Sequence, residues 1–251
     1  MAESSLGMDN VVVTGASRGL GLAIADRLAC DGFRVIAVAR RDSEALSATT
    51  RKLAEHGPGA LVFRPLDLSD VAAIPTFVRE LRQQFGPIYG LVNNAGIGTA
   101  GILANMPDAE IEALIRLNTL SPILMSKYVV RGMMAQGRGR VINVCSIVAF
   151  TGFNALSVYA ATKASLVGFT KSLAREVGRV GVNVNAIAPG FVDTEMTGGL
   201  EGYERERVIG RSALRRLAAV EDVATMAALL MGDGGRNITG TVMTVDAGAT
   251  A

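Results

Sequence analysis

The segment VVVTGASRGLGLAIADRLACDG, residues 11–32, joins an apolar β-branched run to a glycine-rich turn and then to a helix-length segment. The turn glycines are Gly15, Gly19 and Gly21. In a strand-to-helix turn, the first permits a tight backbone, the second lets phosphates come close to the chain, and the third lets helix and strand pack closely. A helix N-terminus also attracts anions. The segment therefore predicts a pyrophosphate-binding turn at the start of an α/β fold.

The spacing of these glycines, Gly-x-x-x-Gly-x-Gly, separates the turn from two other phosphate-binding motifs. It differs from the Gly-x-Gly-x-x-Gly dinucleotide fingerprint, and it lacks the Lys-Ser/Thr pair of a nucleoside triphosphate loop. Glycines in turns commonly have a purely structural role, so the spacing by itself leaves that alternative open.

Short apolar runs recur along the chain, with helix-length segments between them. Continuous apolarity is expected of strands buried on both faces, and strand-helix alternation indicates a parallel sheet with helical crossovers. We therefore predict one doubly wound, Rossmann-like α/β domain over residues 1–251, with seven parallel strands flanked by helices and a flexible N-terminus at 1–8. The runs are VVVTG (11–15), RVIAVA (34–39), ALVFRPLD (60–67), IYGLVNNAG (88–96), RVINVCS (140–146), VNVNAIAPG (182–190) and TVMTVDAG (241–248).

Residues 191–219 interrupt this alternation of strands and helices. They are polar and contain glycines. We interpret them as a small helical lid over a pocket, and an ordinary surface excursion of the chain is the alternative.

The composition excludes several classes of function. The 251 residues are 49% hydrophobic and carry a formal charge of +2, with no basic block to favour nucleic acid or an anionic membrane. The N-terminus MAESSLGMDN lacks the features of a signal peptide, and no window holds the roughly 18 apolar residues of a spanning helix. A soluble, cytoplasmic protein that acts on small molecules is expected.

Histidine and cysteine are scarce. The single histidine, His56, lies in a polar stretch before a Gly-Pro turn, and this scarcity excludes a Ser-His-Asp triad unless His56 is itself recruited. It leaves no histidine-rich metal site, and no metal is predicted. Cys30 and Cys145 have no partner at metal spacing and are expected to be reduced, buried thiols.

The end of the second strand tests which dinucleotide would bind. An acid there would accept hydrogen bonds from a ribose 2′-hydroxyl, but in this chain Arg40 and Arg41 follow the strand directly. A third cation, Arg18, lies in the glycine turn. Guanidinium groups bind phosphate with charge-assisted hydrogen bonds, so a 2′-phosphate and therefore NADPH are favoured over NADH. Alternatively, Asp42 neutralises one arginine and the others are solvated surface charges.

Tyr159 and Lys163 lie four residues apart in the segment SVYAATKASLVGFTKSLAREVG and would project from the same face of a helix. An unperturbed tyrosine has a pKa of about 10, and a neighbouring ammonium favours the phenolate, which predicts a lowered pKa and proton transfer near neutral pH. Ser146 ends the strand RVINVCS at the edge where open α/β sheets bind ligands. A packed tyrosine beside a snorkelling lysine is the alternative for the isolated pair.

These motifs together resemble the short-chain dehydrogenase/reductase family in its single-domain form. The resemblance covers residues 8–250 and rests on TGASRGLG, NNAG (93–96), Asn118, Ser146, YAATK and APG (188–190), all in order. It implies that Tyr159 is the acid/base, that Lys163 binds the nicotinamide ribose and lowers the tyrosine pKa, and that Ser146 orients the carbonyl. Asn118 would support a water in the proton relay.

The resemblance also implies NADP(H) contacts along the whole cleft and a homotetramer, with subunit contacts through the helical segments at 107–136 and 157–179 and through the C-terminal strand. Asp67 and Leu68 would meet the adenine, and Val192 and Thr194 the nicotinamide end. The complete set is Gly15, Ser17, Arg18, Gly19, Leu20, Gly21, Arg40, Arg41, Asp67, Leu68, Asn94, Ala95, Gly96, Tyr159, Lys163, Pro189, Gly190, Val192 and Thr194.

Within the family, the segment SLAREVGRVGVNVNAIAPGFVDTEMT is most similar to the bacterial 3-oxoacyl-[acyl-carrier-protein] reductases of fatty-acid synthesis. The segment after NNAG and the ending VDAGATA depart from that group, and Arg138 and Arg179 each fall one position from where docking arginines are expected. Binding of an acyl carrier protein therefore stays open. The leading interpretation is an NADPH-dependent reductase of 3-oxoacyl thioesters, with other ketones or secondary alcohols next and a non-catalytic dinucleotide sensor third.

Overall fold

The computed structural model describes residues 8–192 and 202–251, apart from the side chains of His56 and residues 202–205. Strands and helices alternate through the described chain, because each continuous apolar run pairs within the sheet and each amphipathic segment covers it. The strands are β1 (Asn10–Thr14), β2 (Arg34–Ala39), β3 (Ala60–Pro65), β4 (Ile88–Asn93), β5 (Gly139–Val144), β6 (Val182–Pro189) and β7 (Val242–Val245).

The helices connect successive parallel strands, and the last of them precedes β7. They are α1 (Gly19–Cys30), α2 (Glu44–His56), α3 (Ile74–Phe85), α4 (Asp108–Ile115), α5 (Ser121–Gln136), α6 (Ser157–Val177), α7 (Gly202–Arg211) and α8 (Val220–Met231). A π-helical turn, Arg116–Leu120, joins α4 to α5 without a break.

The seven strands form one sheet in the order β3-β2-β1-β4-β5-β6-β7, and every pairing is parallel. This confirms the predicted doubly wound topology. The order reverses between β1 and β4, whose carboxyl ends therefore flank a crevice that ligands of such folds occupy. We call the side of the sheet where the strands end the carboxyl edge, and the opposite side the amino edge.

The core has two layers because neighbouring residues of a strand point to opposite faces. Val11 and Val13 of β1 belong to an apolar cluster with side chains of α1, α2 and α8. Val12, between them, belongs to a second cluster with side chains of α3, α5 and α6. Both faces of the sheet are therefore covered, as the continuous apolar runs predicted.

Some details differ from the predictions. The last predicted strand is shorter than its apolar run, since β7 ends at Val245. The prediction that Cys30 is buried is wrong: it lies at the C-terminal end of α1 and is exposed, whereas Cys145 is buried as expected. Helix α7 lies within the predicted lid, of which residues 193–201 fall outside the described part. In the described chain, no helix is long and apolar enough to span a membrane.

Candidate active site

The glycine turn between β1 and α1 is as tight as its sequence predicted. Gly15 adopts φ +68°, and a Cβ atom there would come within 2.9 Å of the Ala95 Cα. A Cβ on Gly21 would lie only 2.2 Å from the Gly15 carbonyl oxygen, so helix and turn pack in direct contact. Gly19, at φ +54°, has open space where its Cβ would be. The open space lies at the first residue of α1.

This turn fits the pyrophosphate of a dinucleotide. Helix α1 begins at Gly19, and its N-cap residue makes no side-chain capping hydrogen bond. The first N–H groups of a helix have no intrahelical acceptor, and they carry the positive end of the helix dipole. An anion that occupies the open space beside Gly19 would therefore accept hydrogen bonds from this helix end.

The segment after β4 closes the crevice from the other side. The Thr14 Oγ1 accepts hydrogen bonds from the backbone N–H groups of Asn94 and Ala95, both at 3.0 Å. The Asn94 side chain donates to the carbonyl oxygen of Thr14 at 2.9 Å. These bonds join the two predicted cofactor segments into one wall.

The predicted adenosine end lies beyond β2 and β3. Arg18, Arg40 and Arg41 are all exposed there. The Asp42 carboxylate accepts hydrogen bonds from the Ser43 N–H and the Ser47 hydroxyl, at 2.7 and 2.8 Å, and so is engaged at the start of α2.

Asp67 and Leu68 follow β3 at the same end of the crevice. Hydrogen bonds from Ser69 lower the pKa of Asp67, and the Arg40 charge contributes less. Leu68 is buried. Ser17 and Leu20, in the glycine turn and the first turn of α1, are half-buried.

Ser146, Tyr159 and Lys163 come together at the carboxyl edge. Ser146 follows β5, while Tyr159 and Lys163 lie one turn apart on α6. The Ser146 side chain lies close enough to the Tyr159 phenol to affect its pKa. The Lys163 Nζ lies 5.7 Å from the centre of the Tyr159 ring and donates to the Val144 carbonyl oxygen at 3.0 Å. Lys163 is only 5% exposed.

Asn118 completes this group from the π-helical turn. Its side chain is 1% exposed. The Oδ1 accepts from the Ile97 N–H at 2.9 Å, and the Nδ2 donates to the Ile97 carbonyl at 2.8 Å and to the Thr162 hydroxyl at 3.2 Å. A Cβ on Gly96 would lie 3.1 Å from the Asn118 Oδ1 and 3.4 Å from the Lys163 Nζ, so Gly96 lies between them.

Burial dominates the protonation of the site. It raises the pKa of Tyr159 to about 12, which the hydrogen bond from Ser146 only partly opposes. It lowers the pKa of Lys163 to about 8 and raises that of Cys145 to about 11. The expected lowering of the Tyr159 pKa is therefore not seen in the protein alone, because desolvation of the phenolate is the largest effect on this pKa.

The predicted nicotinamide end lies at the carboxyl end of β6. Pro189 is the last residue of the strand, and the Gly190 N–H donates to the Val245 carbonyl at 2.9 Å. Val192 is buried and forms a bridge with Ala218, beyond α7. Thr194 lies outside the described residues.

The sequence reasoning missed an apolar rim around this edge. Ile102 and Leu103, after β4, are 62% and 55% exposed, and Phe150, after Ser146, is 50% exposed. Phe153 and Phe191 face each other with ring centres 5.7 Å apart and planes inclined at 65°. The sequence held one signal for this rim, since these apolar side chains all come shortly after β4, β5 or β6, whose ends share one edge of the sheet. Among the residues described, no three His, Cys, Asp or Glu side chains form a possible metal cluster.

Comparisons with known proteins agree with this geometry. The chain is 39% identical over 237 residues to the 3-oxoacyl-[acyl-carrier-protein] reductase of Escherichia coli (strain K12), covering 94% of this chain and 95% of that one. The solved gluconate 5-dehydrogenase from Burkholderia cenocepacia J2315, in complex with NADP and tartrate, superposes with a TM-score of 0.91 at 28% identity, covering 98% and 96%.

A short chain dehydrogenase from Burkholderia cenocepacia J2315, in complex with NADP, superposes with a TM-score of 0.89 at 33% identity, covering 99% of this chain and 100% of that one. The model of the short chain dehydrogenase family matches residues 9–204. With its glycine turn, its Ser-Tyr-Lys group and these relatives, this oxidoreductase belongs to the short-chain dehydrogenase family.

Proposed function

We propose that the protein is an NADPH-dependent carbonyl reductase with 3-oxoacyl thioesters as its leading substrates. The observation that carries the proposal is the juxtaposition of Ser146, Tyr159 and Lys163 beside the dinucleotide turn, at one edge of the sheet. A protein that only binds a dinucleotide has no need of a buried acid/base pair, so the sensor alternative is disfavoured.

The chain's own residues would handle the proton and the carbonyl oxygen. When bound, the cofactor supplies a hydride to the carbonyl carbon. Tyr159, with a pKa of about 12, is protonated at neutral pH and would donate its proton to the carbonyl oxygen, giving a secondary alcohol. Ser146 would donate a hydrogen bond to the same oxygen. Lys163, protonated below about pH 8, would bind a ribose hydroxyl and balance the phenolate that remains.

The charge distribution around the site supports an apolar substrate. No lysine or arginine occurs in residues 96–115, 147–162 or 190–204, which follow β4, β5 and β6. A hydroxy acid such as tartrate needs a cation to pair with its carboxylate. An acyl chain instead needs apolar surface, which Ile102, Leu103 and Phe150 present. This supports thioesters or other neutral ketones over sugar acids.

Simple apolar ketones are the second candidate substrates, because one of the two arginines that could face an acyl carrier protein already has a partner within this chain. Arg138 pairs with Asp9, and its guanidinium lies 4.5 Å from the centre of the Tyr89 ring at the amino edge. Arg179 follows α6 and is exposed. Docking of an acyl carrier protein, and with it a place in fatty-acid synthesis, therefore stays a prediction.

The cofactor and the assembly are parts of the same proposal. The exposed Arg40 and Arg41 support NADPH over NADH, as does the presence of NADP in the two solved relatives. Ile115 and Leu120, at the junction of α4 and α5, are large and exposed, which supports the expected homotetramer. The tetramer remains a prediction.

An NADPH-consumption assay across a series of substrates tests the function. We expect kcat/KM for 3-oxoacyl thioesters to rise about fourfold per methylene while the chain contacts the rim, following roughly 0.8 kcal/mol per buried CH₂. Leu103→Ser should flatten this dependence, and Leu229→Ser, which changes an exposed leucine on α8, should not. Preference for a keto acid or a sugar over every thioester and ketone would contradict the proposal.

A further inference from the structure

Pro122 lies inside a helical run that is continuous from Asp108 to Gln136. The run comprises α4, the π-helical turn and α5, with no residue between them. Pro122 is buried at the second position of α5 and lies four residues after Asn118. Its position differs from that of Pro75, which opens the separate helix α3.

Pro122 leaves two neighbouring carbonyl groups without their regular helical donors. In an α-helix, the carbonyl of Asn118 accepts from the N–H of residue 122, which proline lacks. The carbonyl of Leu117 would accept from Ser121, but the Ser121 N–H donates to Arg116 instead. The π-helical turn therefore lies where two α-helical hydrogen bonds are missing. Single π-helical turns inside α-helices are frequent at functional sites.

The proline ring acts on the same carbonyl. A proline inside a helix clashes with the carbonyl of the residue four positions earlier, which here is Asn118. The Asn118 side chain cannot follow a rotation of the backbone freely, because both of its polar atoms are hydrogen-bonded to the Ile97 backbone. The π-helical turn has one more residue per hydrogen-bonded loop than an α-helical turn and so gives the ring room at this position.

Polar contacts hold the proline side of this turn in place. The Asn93 Nδ2 lies 3.5 Å from the Pro122 carbonyl oxygen and donates at 3.0 Å to Ser126 and at 2.8 Å to Asn143. Asn93 is 3% exposed, so these contacts are shielded from water. The start of α5 is thus fixed to β4 and β5, and the widened turn lies on the Asn118 side of Pro122.

We propose that Pro122 is a positioning residue that keeps the Asn118 carbonyl available to the water that returns a proton to Tyr159 after each turnover. The inference rests on the proposed carbonyl reduction, in which Tyr159 gives its proton to the substrate oxygen and must regain one from solvent. An N–H group at position 122 would donate to the Asn118 carbonyl and compete with that water.

The variant Pro122→Ala tests this role. We expect kcat to fall at least tenfold and its solvent deuterium isotope effect to increase, because proton return becomes slower. The dissociation constant of NADPH should change less than twofold, and the Tm should stay equal or rise, because alanine favours a helix interior far more than proline does. A merely structural role would lower Tm and NADPH affinity together with kcat.

Pro75→Ala is the matched control, since a proline in the first turn of a helix replaces an N–H that would have no intrahelical acceptor. It should leave kcat within twofold. If Pro122→Ala does not fold, Pro122→Ser introduces the same N–H group and is tested in the same way. Either Pro122 variant, folded and with kcat within twofold of wild type, overturns the inference.

Failure of the proposed function can be told apart from failure of this inference, because an inactive wild-type protein would contradict only the proposed function. If the wild type reduces no substrate tested, a crystal structure of Pro122→Ala still gives an answer. We expect a new hydrogen bond from the N–H of residue 122 to the Asn118 carbonyl. A variant structure in which that N–H bonds elsewhere and the π-helical turn is unchanged would overturn the inference without any activity measurement.

Discussion

Two tyrosines lie beside basic side chains at opposite edges of the sheet. At the carboxyl edge, the Lys163 Nζ lies 5.7 Å from the centre of the Tyr159 ring. At the amino edge, the guanidinium groups of Arg138 and Arg140 lie 4.5 and 5.8 Å from the centre of the Tyr89 ring. Burial is the largest cause of a raised pKa in both phenols. A buried tyrosine near a cation is therefore no signature of catalysis by itself.

The two sites differ in whether the phenol and the cation can give up a proton. The Tyr89 hydroxyl donates to the Met231 carbonyl at 3.1 Å, and its ring stacks on Phe33, so both parts of the side chain have structural partners. The Tyr159 phenol instead lies beside Ser146 at the carboxyl edge. Lysine can lose its proton, whereas arginine remains charged. Only the carboxyl edge can move protons near neutral pH.

The largest expected effect separates these two tyrosines. Tyr159→Phe removes the transferable proton but keeps the ring, so kcat should fall at least about 100-fold while NADPH affinity stays nearly unchanged. Tyr89→Phe should keep full activity and lose about 1 kcal/mol of unfolding free energy with its hydrogen bond. Steady-state kinetics and urea unfolding measure both. A Tyr159→Phe enzyme that retains more than a few per cent of the rate would remove Tyr159 from the role of acid.

The arginines at the two edges give the next comparison. Arg40 and Arg41 are exposed at the adenosine end, whereas Arg138 is engaged by Asp9 and Tyr89. Replacing Arg40 and Arg41 together by alanine should weaken NADPH binding at least about tenfold and leave NADH binding unchanged, since a charge-assisted hydrogen bond contributes about 1.5 to 3 kcal/mol. Arg138→Gln should change neither affinity. Equal affinities of the wild type for NADH and NADPH would show that Arg40 and Arg41 do not select the cofactor.

The fold could be predicted because its signals are local. Each strand is a continuous apolar run, and each run confirmed in the sheet differs from the prediction by only a few residues at its ends. Val11, Val12 and Val13 could be assigned to a two-sided strand without knowing their partners. The doubly wound parallel arrangement followed from the alternation of strands and helices and from the family resemblance.

The site could be predicted only in part, because its remaining properties depend on contacts between distant segments. The order of the family motifs along the chain was enough to predict a shared site at the carboxyl edge. Its residues are Asn118, Ser146, Tyr159 and Lys163. The direction of the Tyr159 pKa shift could not be read from Lys163 four residues away, since it depends on how deeply the fold buries the phenol. The apolar rim likewise combines residues that follow three different strands.

The smallest expected effect concerns the stability cost of Lys163. Burial lowers its pKa from 10.5 to about 8, so the folded protein releases this proton before the unfolded chain does. Between these two values the unfolded state binds more protons, and the wild-type free energy of unfolding should rise with pH. Below about pH 8 the buried ammonium is a constant cost. Lys163→Met should therefore be inactive yet more stable at pH 7, by about 1 to 2 kcal/mol after the loss of the hydrogen bond to Val144.

Urea unfolding of both proteins from pH 7 to 10 measures this difference. The stability advantage of Lys163→Met should shrink as the pH rises through about 8, because the wild type then no longer holds a buried charge. Lys171→Met is the matched control, since Lys171 is exposed on the same helix just over two turns away. It should change neither the stability at pH 7 nor its dependence on pH. An advantage of Lys163→Met that stays constant to pH 10 would mean that Lys163 keeps its proton, and that the ammonium is stabilised in the fold by more than its bond to Val144.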